Sequence, residues 1–568
     1  MSYIDASYNR KNDRMRMAER INGQRVLSEV PVEHVFYYTH PAGSHRTIFD
    51  QPCKKFSTYS SKKAEAKKRE LLEQPKPPTI VESDIRPEFR HLAKHYTGVD
   101  APVLHLGFFD IEADFHPEKG WSSAEDAENA VTAISLYLSA EETLYTMALC
   151  PPTYSSDEAC AIGDQFENTM VFDSEIEMLN RFLDLIEDVD VLSGWNSEGY
   201  DIPYLVNRVK RLMGEDETRR FCLWGMKPRE REYIKFGKTS LTYDLVGRVH
   251  LDYLVLYQKH NPQQQQSYRL DYIGEQEVGD NKTPYEGTLD DLYKKEFYRF
   301  LEYNRQDVNL LVKIDALKKY IELSNQIAHS NCVLLKTTVG SVALVEAAII
   351  NEMHALGYVV PDRKPRDDDQ PKKPVRKNIL SAEWQDAPEG EDEGRTPVVG
   401  AYVAQPKKGI HSEIACIDIN SLYPSCIRSL NMSPETITGQ VRPTRTMALV
   451  HKRIEDGTPR AEAWDGIFCL LEITDMLEQT DAMLEIDFED GSFIEMTGAE
   501  FYDFIFDPQN QLCVSANGTI FRTDKEGIIP QLLAKWYSER QSMQFKQRTY
   551  SEAADGLEID DELAGLLT

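Results

Sequence analysis

Apolar and polar residues alternate between about residues 100 and 340 in a pattern that predicts an α/β unit. VLHLGFFDIEADF, from Val103, is a mostly apolar run that gains acids at its end, and it predicts a buried strand that ends at a site. AVTAISLYLS and ETLYTMALC predict two further strands, joined by the polar residues 140–142. SEIEMLNRFLDLIEDVD has apolar residues at helical spacing, and VLSGWN predicts a strand that ends in a turn. Alternating strands and helices indicate an α/β domain that extends to about Lys336.

Outside this region the pattern changes several times. SSKKAEAKKRELLEQ, residues 60–74, predicts a charged surface helix. Residues 340–360, GSVALVEAAIINEMHALGYVV, predict a helix followed by a strand, and the charged, proline-rich residues 361–397 predict a linker or long surface loop. IACIDINSLYPSCIRSLNM predicts a strand, a turn and a helix, and IIPQLLAKWYSERQSMQFKQRTY predicts a helix with Pro530 in its first turn.

Composition narrows the class of protein. Of 568 residues, 41% are hydrophobic and 28% are charged, which is ordinary for a globular protein of about four domains. The polar start and the lack of a long apolar run predict neither a secretory signal nor a membrane span, so we expect a cytoplasmic protein. Nine scattered cysteines indicate reduced thiols rather than a zinc site or disulfides. The net charge of −30 argues against strong non-specific affinity for nucleic acid, but it allows a local basic groove and suits carboxylate-bound metals.

Three short elements carry acids that could share one site. Asp110 and Glu112 are two residues apart at a strand end, so both point to one face, where a divalent metal would offset their repulsion. The alternative is a strand end that turns into solvent. Asp201 precedes the helix predicted for IPYLVNRVKRL, a position where an N-cap is the commonest role. Tyr303 and Asp307, four apart on a helix, share a face, and the alternative for them is an ordinary exposed pair.

Together these elements resemble a known set of motifs. DIE, NSEGYD before a helix and YNRQD, in this order, resemble the three exonuclease motifs of the RNase H-like (DnaQ-like) fold in family B DNA polymerases. The resemblance implies that two Mg²⁺ or Mn²⁺ ions are held by four acids: Asp110, Glu112, Asp201 and Asp307. It also implies that Asp110 bridges both ions, that Tyr303 orients the attacking water, and that the product is a deoxynucleoside monophosphate.

A second resemblance lies in IACIDINSLYPSCIRSLNMSPET, which is similar to palm motif A of family B polymerases of the T-even bacteriophage type. Alone, SLYPS would be a plain turn. The resemblance implies that Asp418 holds two catalytic Mg²⁺ or Mn²⁺ ions, with the Ile419 carbonyl as a further ligand. Backbone amides near Ser421 and Leu422 would meet the incoming deoxynucleoside triphosphate. Tyr423 would lie under its sugar and exclude a 2′-hydroxyl group.

Two flanking segments extend this resemblance. GIIPQLLAKWYSER is similar to the first fingers helix, and Arg540 stands where the family places an arginine that binds the triphosphate. VVGAYVAQP, with Gly400 and Ala401, is similar to a segment that contacts the template strand. The predicted fold class is a multi-domain α/β protein. Its expected parts are an N-terminal α+β domain (1–100), an RNase H-like exonuclease domain (101–338), a segment that returns to the N-terminal domain and a linker (339–380), a partial palm with an insertion (381–526) and the start of the fingers (527–568).

Several motifs of a polymerase are missing from the sequence. The fingers motif KxxxNSxYG, the DTDS hairpin with the second catalytic aspartate and the thumb are not found, so these 568 residues should not polymerise DNA alone. We expect a phage replication protein in the host cytoplasm that proofreads single-stranded 3′ ends on primer–template DNA. A second polypeptide would complete the palm, fingers and thumb, and would make any contact with a sliding clamp. The alternative explanation is a truncated product or fragment.

Two other functions stay open. A free-standing 3′→5′ DNA exonuclease with a non-functional palm would be fully active alone on single-stranded DNA. A non-enzymatic nucleic-acid binder, such as a translational repressor, would bind RNA even after loss of Asp110 and Asp201. The complete set of acids disfavours the binder, and the nearly complete motif A disfavours the free-standing nuclease.

Overall fold

The protein was analysed as a computed structural model. It forms two compact units, Met1–Arg363 and Lys364–Thr568. The structure describes residues 2–115, 120, 122–235, 238–284, 287–363, 407–419, 421–442, 451–463, 483–488 and 491–555. The predicted linker after residue 363, Gly400, Ala401 and residues 556–568 lie outside this range. No helix of the described residues is long and apolar enough to cross a membrane.

The first unit begins with two small sheets. Strands β1 (Ser2–Asn9), β2 (Arg14–Ile21) and β3 (Gln24–Pro31) form an antiparallel meander. The second sheet contains, from edge to edge, β16 (Tyr358–Val359), β5 (His45–Thr47), β6 (Pro52–Thr58), β4 (His34–Thr39) and β7 (Ile80–Val81). Two helices accompany these sheets: α1 (Ser61–Leu72), which is the predicted surface helix, and α2 (Pro87–Tyr96). Strand β16 comes from the end of the first unit, so the chain returns there to the sheet of β4–β7.

The central sheet of the first unit has six strands. From edge to edge they are β11 (Thr169–Phe172), β10 (Thr143–Leu149), β9 (Val131–Leu138), β8 (Leu106–Ala113), β12 (Val191–Ser193) and β15 (Val249–His250). Strands β8, β9 and β10 are antiparallel, and the other pairs are parallel. The strands predicted from the apolar runs are confirmed, and so is the α/β class.

Helices cover both faces of this sheet, and a hairpin extends from it. The helices are α3 (Ser156–Gly163), α4 (Glu175–Leu185), α5 (Asp201–Met213), α6 (Tyr253–His260), α7 (Leu270–Val278), α8 (Leu289–Lys295), α9 (Phe297–Lys318), α10 (Tyr320–Ser330) and α11 (Val342–Ala355). The hairpin consists of β13 (Arg229–Lys235) and β14 (Lys238–Asp244). The helices predicted around residues 175, 202 and 342 are confirmed.

The alternation of side chains along β8 decides where its acids point. Phe109 and Ile111 pack into the apolar core that also contains residues of α4 and α5. Phe108 packs into a second core, which contains residues of α6, α7, α9 and α10. Because side chains alternate between the faces of a strand, Asp110 and Glu112 share the face of Phe108, under α9.

A buried ion pair ties the N-terminal meander to the central sheet. Arg20 of β2 donates from Nε and Nη2 to the two carboxylate oxygens of Asp190, at 2.8 and 3.0 Å. Asp190 directly precedes β12, and both side chains are almost completely buried. Two parallel charge-assisted hydrogen bonds fix distance and orientation together. The pair therefore sets how β2 lies against the strand that leads to the site.

Replacing Arg20 with methionine should lower the free energy of unfolding of the first unit by about 3 kcal/mol, because the buried Asp190 carboxylate loses its closest cation. Urea unfolding followed by circular dichroism would measure the change. Arg14→Ala is the matched control. It removes an arginine from the same strand, but Arg14 and its partner Glu29 are exposed, so the cost should be at most about 1 kcal/mol. Equal losses in the two variants would contradict a special role for the buried pair.

The second unit contains an antiparallel sheet of five strands. From edge to edge they are β19 (Phe493–Thr497), β18 (Met483–Phe488), β17 (Ile437–Arg442), β21 (Thr519–Arg522) and β20 (Leu512–Val514). The described helices of this unit include α12 (Leu422–Ser429), α13 (Arg460–Ala463), α14 (Gly498–Phe506) and α15 (Ile528–Asp555). The helices predicted at α12 and α15 are confirmed. The strand predicted at residues 414–419 is wrong: that segment has no regular structure, because none of the described residues pairs with it.

The start of α15 is held by the loop that follows α12. Asn431, Glu435 and Ser433 accept, in that order, the N–H groups of residues 527, 528 and 529 at 2.7, 2.6 and 3.3 Å. These N–H groups have no partner within a helix, so side-chain acceptors stabilise its first turn. Helices α12 and α15 also pack against each other. The NMSPE segment and α15 are therefore one local assembly.

Candidate active site

Asp110 and Glu112 lie on the part of β8 that extends past its neighbour. Strand β12 pairs with β8 only as far as Phe108. Beyond that point β8 still pairs with β9 on its other side, which keeps the two acids on a regular strand. Both acids are half-buried. The alternative of a strand end that turns into solvent is therefore wrong.

Asp201 reaches the same place from the loop that follows β12. The chain leaves β12 at Gly194, where an added Cβ would lie 2.8 Å from the carbonyl oxygen of Phe109, so a glycine permits the close approach. Asp201 is the first residue of α5, and its Oδ1 accepts the N–H of Ile111 at 3.4 Å. The N-cap position belongs to Tyr200, so the N-cap alternative for Asp201 is wrong.

Helix α9 brings the remaining acid onto the same face. Asp307 is only 2% exposed, so it does not belong to an exposed pair, and Tyr303 lies one turn earlier and is half-buried. Asn304 donates from Nδ2 to Oδ2 of Asp110 at 3.0 Å. One carboxylate oxygen from each of Asp110, Glu112 and Asp307 lies within 4.8 Å of the others. Acids almost 200 residues apart in sequence thus converge, with Asp201 beside them.

Lys282 completes this cluster, and no motif in the sequence indicated it. It lies in the polar loop between α7 and α8, where neither periodicity nor spacing marks one lysine as special. Its Nζ donates to Asp307 Oδ2 and, at 3.2 Å, to the hydroxyl oxygen of Tyr303. Burial alone would lower the pKa of Lys282, but the charges of Asp307 and Asp110 raise it above its ordinary value, so the lysine is a fixed cation. Asn304 was missed too, although it precedes Asp307 by three residues and shares its helix face.

Burial and the negative charge of neighbouring carboxylates raise the pKa values of the acids in this site. Removal from water, followed by the charges of Asp307 and Glu112, raises the pKa of Asp110 well above its ordinary value. Removal from water and the charge of Asp307 raise the pKa of Glu112 to about 8. Removal from water is also the main cause that raises the pKa of Asp201 to about 7. Such groups ionise fully only if additional positive charge joins Lys282 in the cluster.

A divalent cation fits these side chains. Oδ1 of Asp307 is buried and has no hydrogen-bond partner among the described residues, which is costly unless a cation or donor contacts it. Asp110, Glu112 and Asp201 add further carboxylate oxygens, the hard ligands that Mg²⁺ and Mn²⁺ prefer. Neither histidine nor cysteine belongs to this cluster. The chemistry of the donors therefore favours Mg²⁺ or Mn²⁺ over zinc.

The raised pKa values predict how stability depends on pH. Without metal, Glu112 and Asp201 keep protons in the folded state that the unfolded chain releases near pH 4, so folding should weaken as the pH rises from about 4 to 8. Each such group contributes up to ~1.4 kcal/mol per pH unit in this window. Thermal unfolding in EDTA at pH 5 and pH 8 should therefore show a loss that Mg²⁺ reverses at pH 8. An Asp110→Ala, Glu112→Ala variant should lose most of this dependence, and an unchanged dependence would contradict the assignment.

A cleft of about 460 Å³ opens beside the acids. Its volume lies in the range of small-ligand sites. Its lining combines aromatic, aliphatic, polar and charged side chains. It is lined by Asp110, Trp195, Asn196, Leu254, Tyr268, Arg269, Leu270, Asp271 and Lys282.

The second unit contains the residues of the resemblance to palm motif A. Asp418 and Ile419 lie in the exposed, irregular segment that precedes α12. Ser421 is the N-cap of α12 and adopts a left-handed conformation, with φ of 54°. Leu422 and Tyr423 begin that helix and are exposed. No other acid joins Asp418 in a metal-binding cluster within the described part of the chain.

Arg540 lies in α15 and is exposed. No hydrogen bond or ion pair between described residues joins it to Asp418. The structure thus brings together the acids predicted for the exonuclease site. The residues predicted for the palm and fingers lie along one irregular segment and two helices, α12 and α15, without a shared cluster among the described residues.

Comparison with known proteins assigns both units to one family. Residues 53–273 match the model of the exonuclease domain of DNA polymerase family B, and residues 332–559 match the model of DNA polymerase family B. The chain is 28% identical over 364 residues to the DNA-directed DNA polymerase of Escherichia phage RB69, which covers 60% of this chain and 36% of that protein. It is 25% identical over 445 residues to the DNA-directed DNA polymerase of Enterobacteria phage T4, which covers 75% of this chain and 40% of that protein.

A DNA polymerase of Thermococcus litoralis is also 25% identical, over 276 residues, or 47% of this chain and 14% of that protein. The chain belongs to the family B DNA polymerases, and it spans 36–40% of the length of the two phage relatives. Its fold class, with exonuclease and polymerase domains, is as the sequence predicts. The second matched range includes the region 381–526, for which the sequence predicts a partial palm with an insertion.

Proposed function

We propose that this chain removes nucleotides one at a time from DNA 3′ ends, as the proofreading exonuclease of a replicative polymerase. The observation that carries the proposal is the convergence of Asp110, Glu112 and Asp307, each with one carboxylate oxygen within 4.8 Å of the others. The match to a family B exonuclease domain supports the same reaction. The substrate would be a single-stranded 3′ end in the adjacent cleft, and the product a deoxynucleoside monophosphate.

Each residue of the cluster has a distinct task in this proposal. Two Mg²⁺ or Mn²⁺ ions, when bound, would activate a water and offset the charge of the scissile phosphate. They would be held by Asp110, Glu112, Asp201 and Asp307. Tyr303 would orient the water through its hydroxyl group, and Lys282 would fix that hydroxyl by donating to its oxygen. Asn304 would fix the carboxylate of Asp110.

A direct test uses a single strand labelled at its 5′ end. With Mg²⁺ we expect a ladder that shortens by one nucleotide at a time from the 3′ end, with deoxynucleoside monophosphates as the released products, and no digestion in EDTA. Internal cuts, digestion from the 5′ end or activity without metal would each refute the proposal.

We further propose that the second unit is part of a nucleotidyl-transfer site for deoxynucleoside triphosphates on primer–template DNA. Two-metal transfer needs at least two carboxylates, and Asp418 is the one that the resemblance assigns within these 568 residues. A second polypeptide would supply the other carboxylate, the rest of the palm and fingers, the thumb and any contact with a sliding clamp. The exposed Ile414, Ile417 and Ile419 support this, because the described residues do not cover them and apolar segments of this kind need a neighbour.

The test of this second proposal needs a variant that cannot digest its primer. Asp110→Ala with Glu112→Ala, incubated with a primer–template, Mg²⁺ and all four deoxynucleoside triphosphates, should not extend the primer. Extension should appear when a polypeptide that carries the remaining palm, fingers and thumb is added. Extension by these 568 residues alone would refute the need for further residues.

The free-standing exonuclease remains the second candidate. The cluster of Asp110, Glu112 and Asp307 and the neighbouring Asp201 all lie in the first compact unit, so digestion does not require the second unit to be complete. This candidate predicts that no added polypeptide restores primer extension, and that Asp418→Ala changes no measurable activity.

A further inference from the structure

The loop of residues 194–200 shapes the cleft and delivers an acid to it. It connects β12 to α5, and Asp201 follows it directly as the first residue of that helix. Two of its members, Trp195 and Asn196, line the cleft beside Asp110. A loop of this kind can place side chains reproducibly only if something outside it holds its backbone.

Asp252 holds that backbone. Its Oδ1 accepts the N–H of Asn196 at 3.0 Å, and its Oδ2 accepts the N–H of Glu198 at 3.1 Å. Oδ1 also accepts the N–H of Leu254 at 2.9 Å, which caps α6. The residue is only 6% exposed. One carboxylate thus joins the start of α6 to a loop more than fifty residues earlier in the chain.

Neighbouring contacts reinforce this connection. The N–H of Tyr253 donates to the carbonyl oxygen of Gly194 at 2.9 Å. Ser197 Oγ hydrogen-bonds to the carbonyl oxygen of Gly194 at 3.1 Å and to Nε2 of the buried His250 at 2.9 Å. The segment from β15 to α6 therefore contacts the loop at successive positions. Among these contacts, the two bonds from the loop N–H groups to the Asp252 carboxylate are the charge-assisted ones.

An ordinary capping role does not account for an aspartate here. Serine, threonine or asparagine would satisfy the Leu254 N–H without a buried negative charge next to a cluster of acids. The charge of Asp252 raises the pKa of Asp201, so its presence has an electrostatic cost at the site. The carboxylate accepts three N–H groups through two separate oxygens, whereas serine has a single acceptor oxygen on a shorter side chain. The two bonds to the loop are the gain that offsets the cost.

We infer that Asp252 is a positioning residue of the exonuclease: it fixes the 194–200 loop so that Trp195 and Asn196 form a rigid wall of the cleft for a single-stranded 3′ end. The identity of the ligand in this inference rests on the proposed exonuclease function. The role of Asp252 in holding the loop is independent of that function.

Asp252→Ser separates this role from helix capping, because serine still caps α6 but cannot reach both loop amides. In the variant, hydrogen exchange of peptides that contain residues 194–200 should become about 10-fold faster, while the rest of the central sheet is unchanged. The KM for a single-stranded oligonucleotide should rise about 10-fold, with kcat changed less than about 3-fold, since a misplaced wall weakens binding. Affinity for the same oligonucleotide in Ca²⁺ should fall in parallel.

Asp5→Ser is the matched control. Asp5 is also a buried aspartate whose carboxylate accepts a backbone N–H, that of Gly247, but it does not line the cleft. It should alter neither the exchange of the loop nor KM. Unchanged exchange in Asp252→Ser, faster exchange with unchanged KM and affinity, or the same KM change in Asp5→Ser would each overturn the inference. If the unmodified chain neither digests nor binds DNA, the proposed function fails, and the exchange measurement alone decides whether Asp252 holds the loop.

Discussion

Replacing Asp110 and Glu112 together with alanine should lower the rate of 3′-end digestion by at least ~10³-fold, because a metal site worth several kcal/mol to the transition state loses two of its ligands. The two acids sit on the overhanging end of β8, so their loss leaves the pairing with β9 intact. Digestion of a 5′-labelled oligonucleotide under single-turnover conditions would measure the change.

Folding and DNA binding should survive this double substitution. In the metal-free protein the variant should even be more stable at pH 8, since the repulsion among the acids is reduced. Asp164→Ala with Glu167→Ala is the control: it also removes two acids, but from exposed positions near β11. The control should digest DNA at the normal rate. Digestion that persists in the first variant would show that another site does the chemistry.

Replacing Lys282 with methionine should lower kcat by about 10–100-fold, the usual cost of removing a group that orients metal ligands. Methionine keeps much of the side-chain volume but removes the donor to Tyr303 and the cation next to Asp307. Because Lys282 opposes the raised pKa values of Asp110 and Glu112, its loss should also move the acidic limb of the pH–rate profile to higher pH.

Two further variants sharpen this test. Lys282→Arg keeps the charge and should recover part of the rate. Lys295→Met removes a lysine from an exposed i, i+4 pair with Asp291 and should change nothing measurable. A rate for Lys282→Met within about twofold of the unmodified chain would show that the lysine is only a surface counterion.

The resemblance to the three exonuclease motifs singled out the acids of the candidate site, because spacing alone left an alternative open for each element. Asp110 and Glu112 are two residues apart on a strand and so share one face of it. Tyr303 and Asp307 are four residues apart on a helix and so share one face of that helix. Once each element has its correct type, the chain brings the acids together through strand order and helix packing. Local spacing could not distinguish a ligand from a capping residue at Asp201, since that difference depends on how β12 ends against β8.

Lys282 and Asp252 could not be found in this way. Lys282 lies in an irregular loop, and its role arises only when that loop folds over α9. Asp252 reads as a simple N-cap, and its two bonds to the 194–200 loop cross more than fifty residues of sequence. Contacts of this kind depend on tertiary structure and leave no periodic trace.

In the second unit, the sequence predicted a strand that the structure does not form. The run at residues 414–419 is as apolar as a strand, but a strand exists only if another strand offers its N–H and C=O groups. None of the described residues does so. The five strands between Ile437 and Arg522 were not predicted individually, because they are short and separated by long connections, with pairing that is non-local.

The way α15 is anchored has a mechanical consequence. Asn431, Ser433 and Glu435 accept the N–H groups of its first turn, so the start of α15 is fixed to the NMSPE segment, which directly follows α12. Arg540 lies roughly 18 Å along α15 from the start of the helix, at 1.5 Å per residue. Any swing of α15 that moves Arg540 relative to the NMSPE segment must either bend the helix between these points or tilt Tyr423 of α12 at the same time.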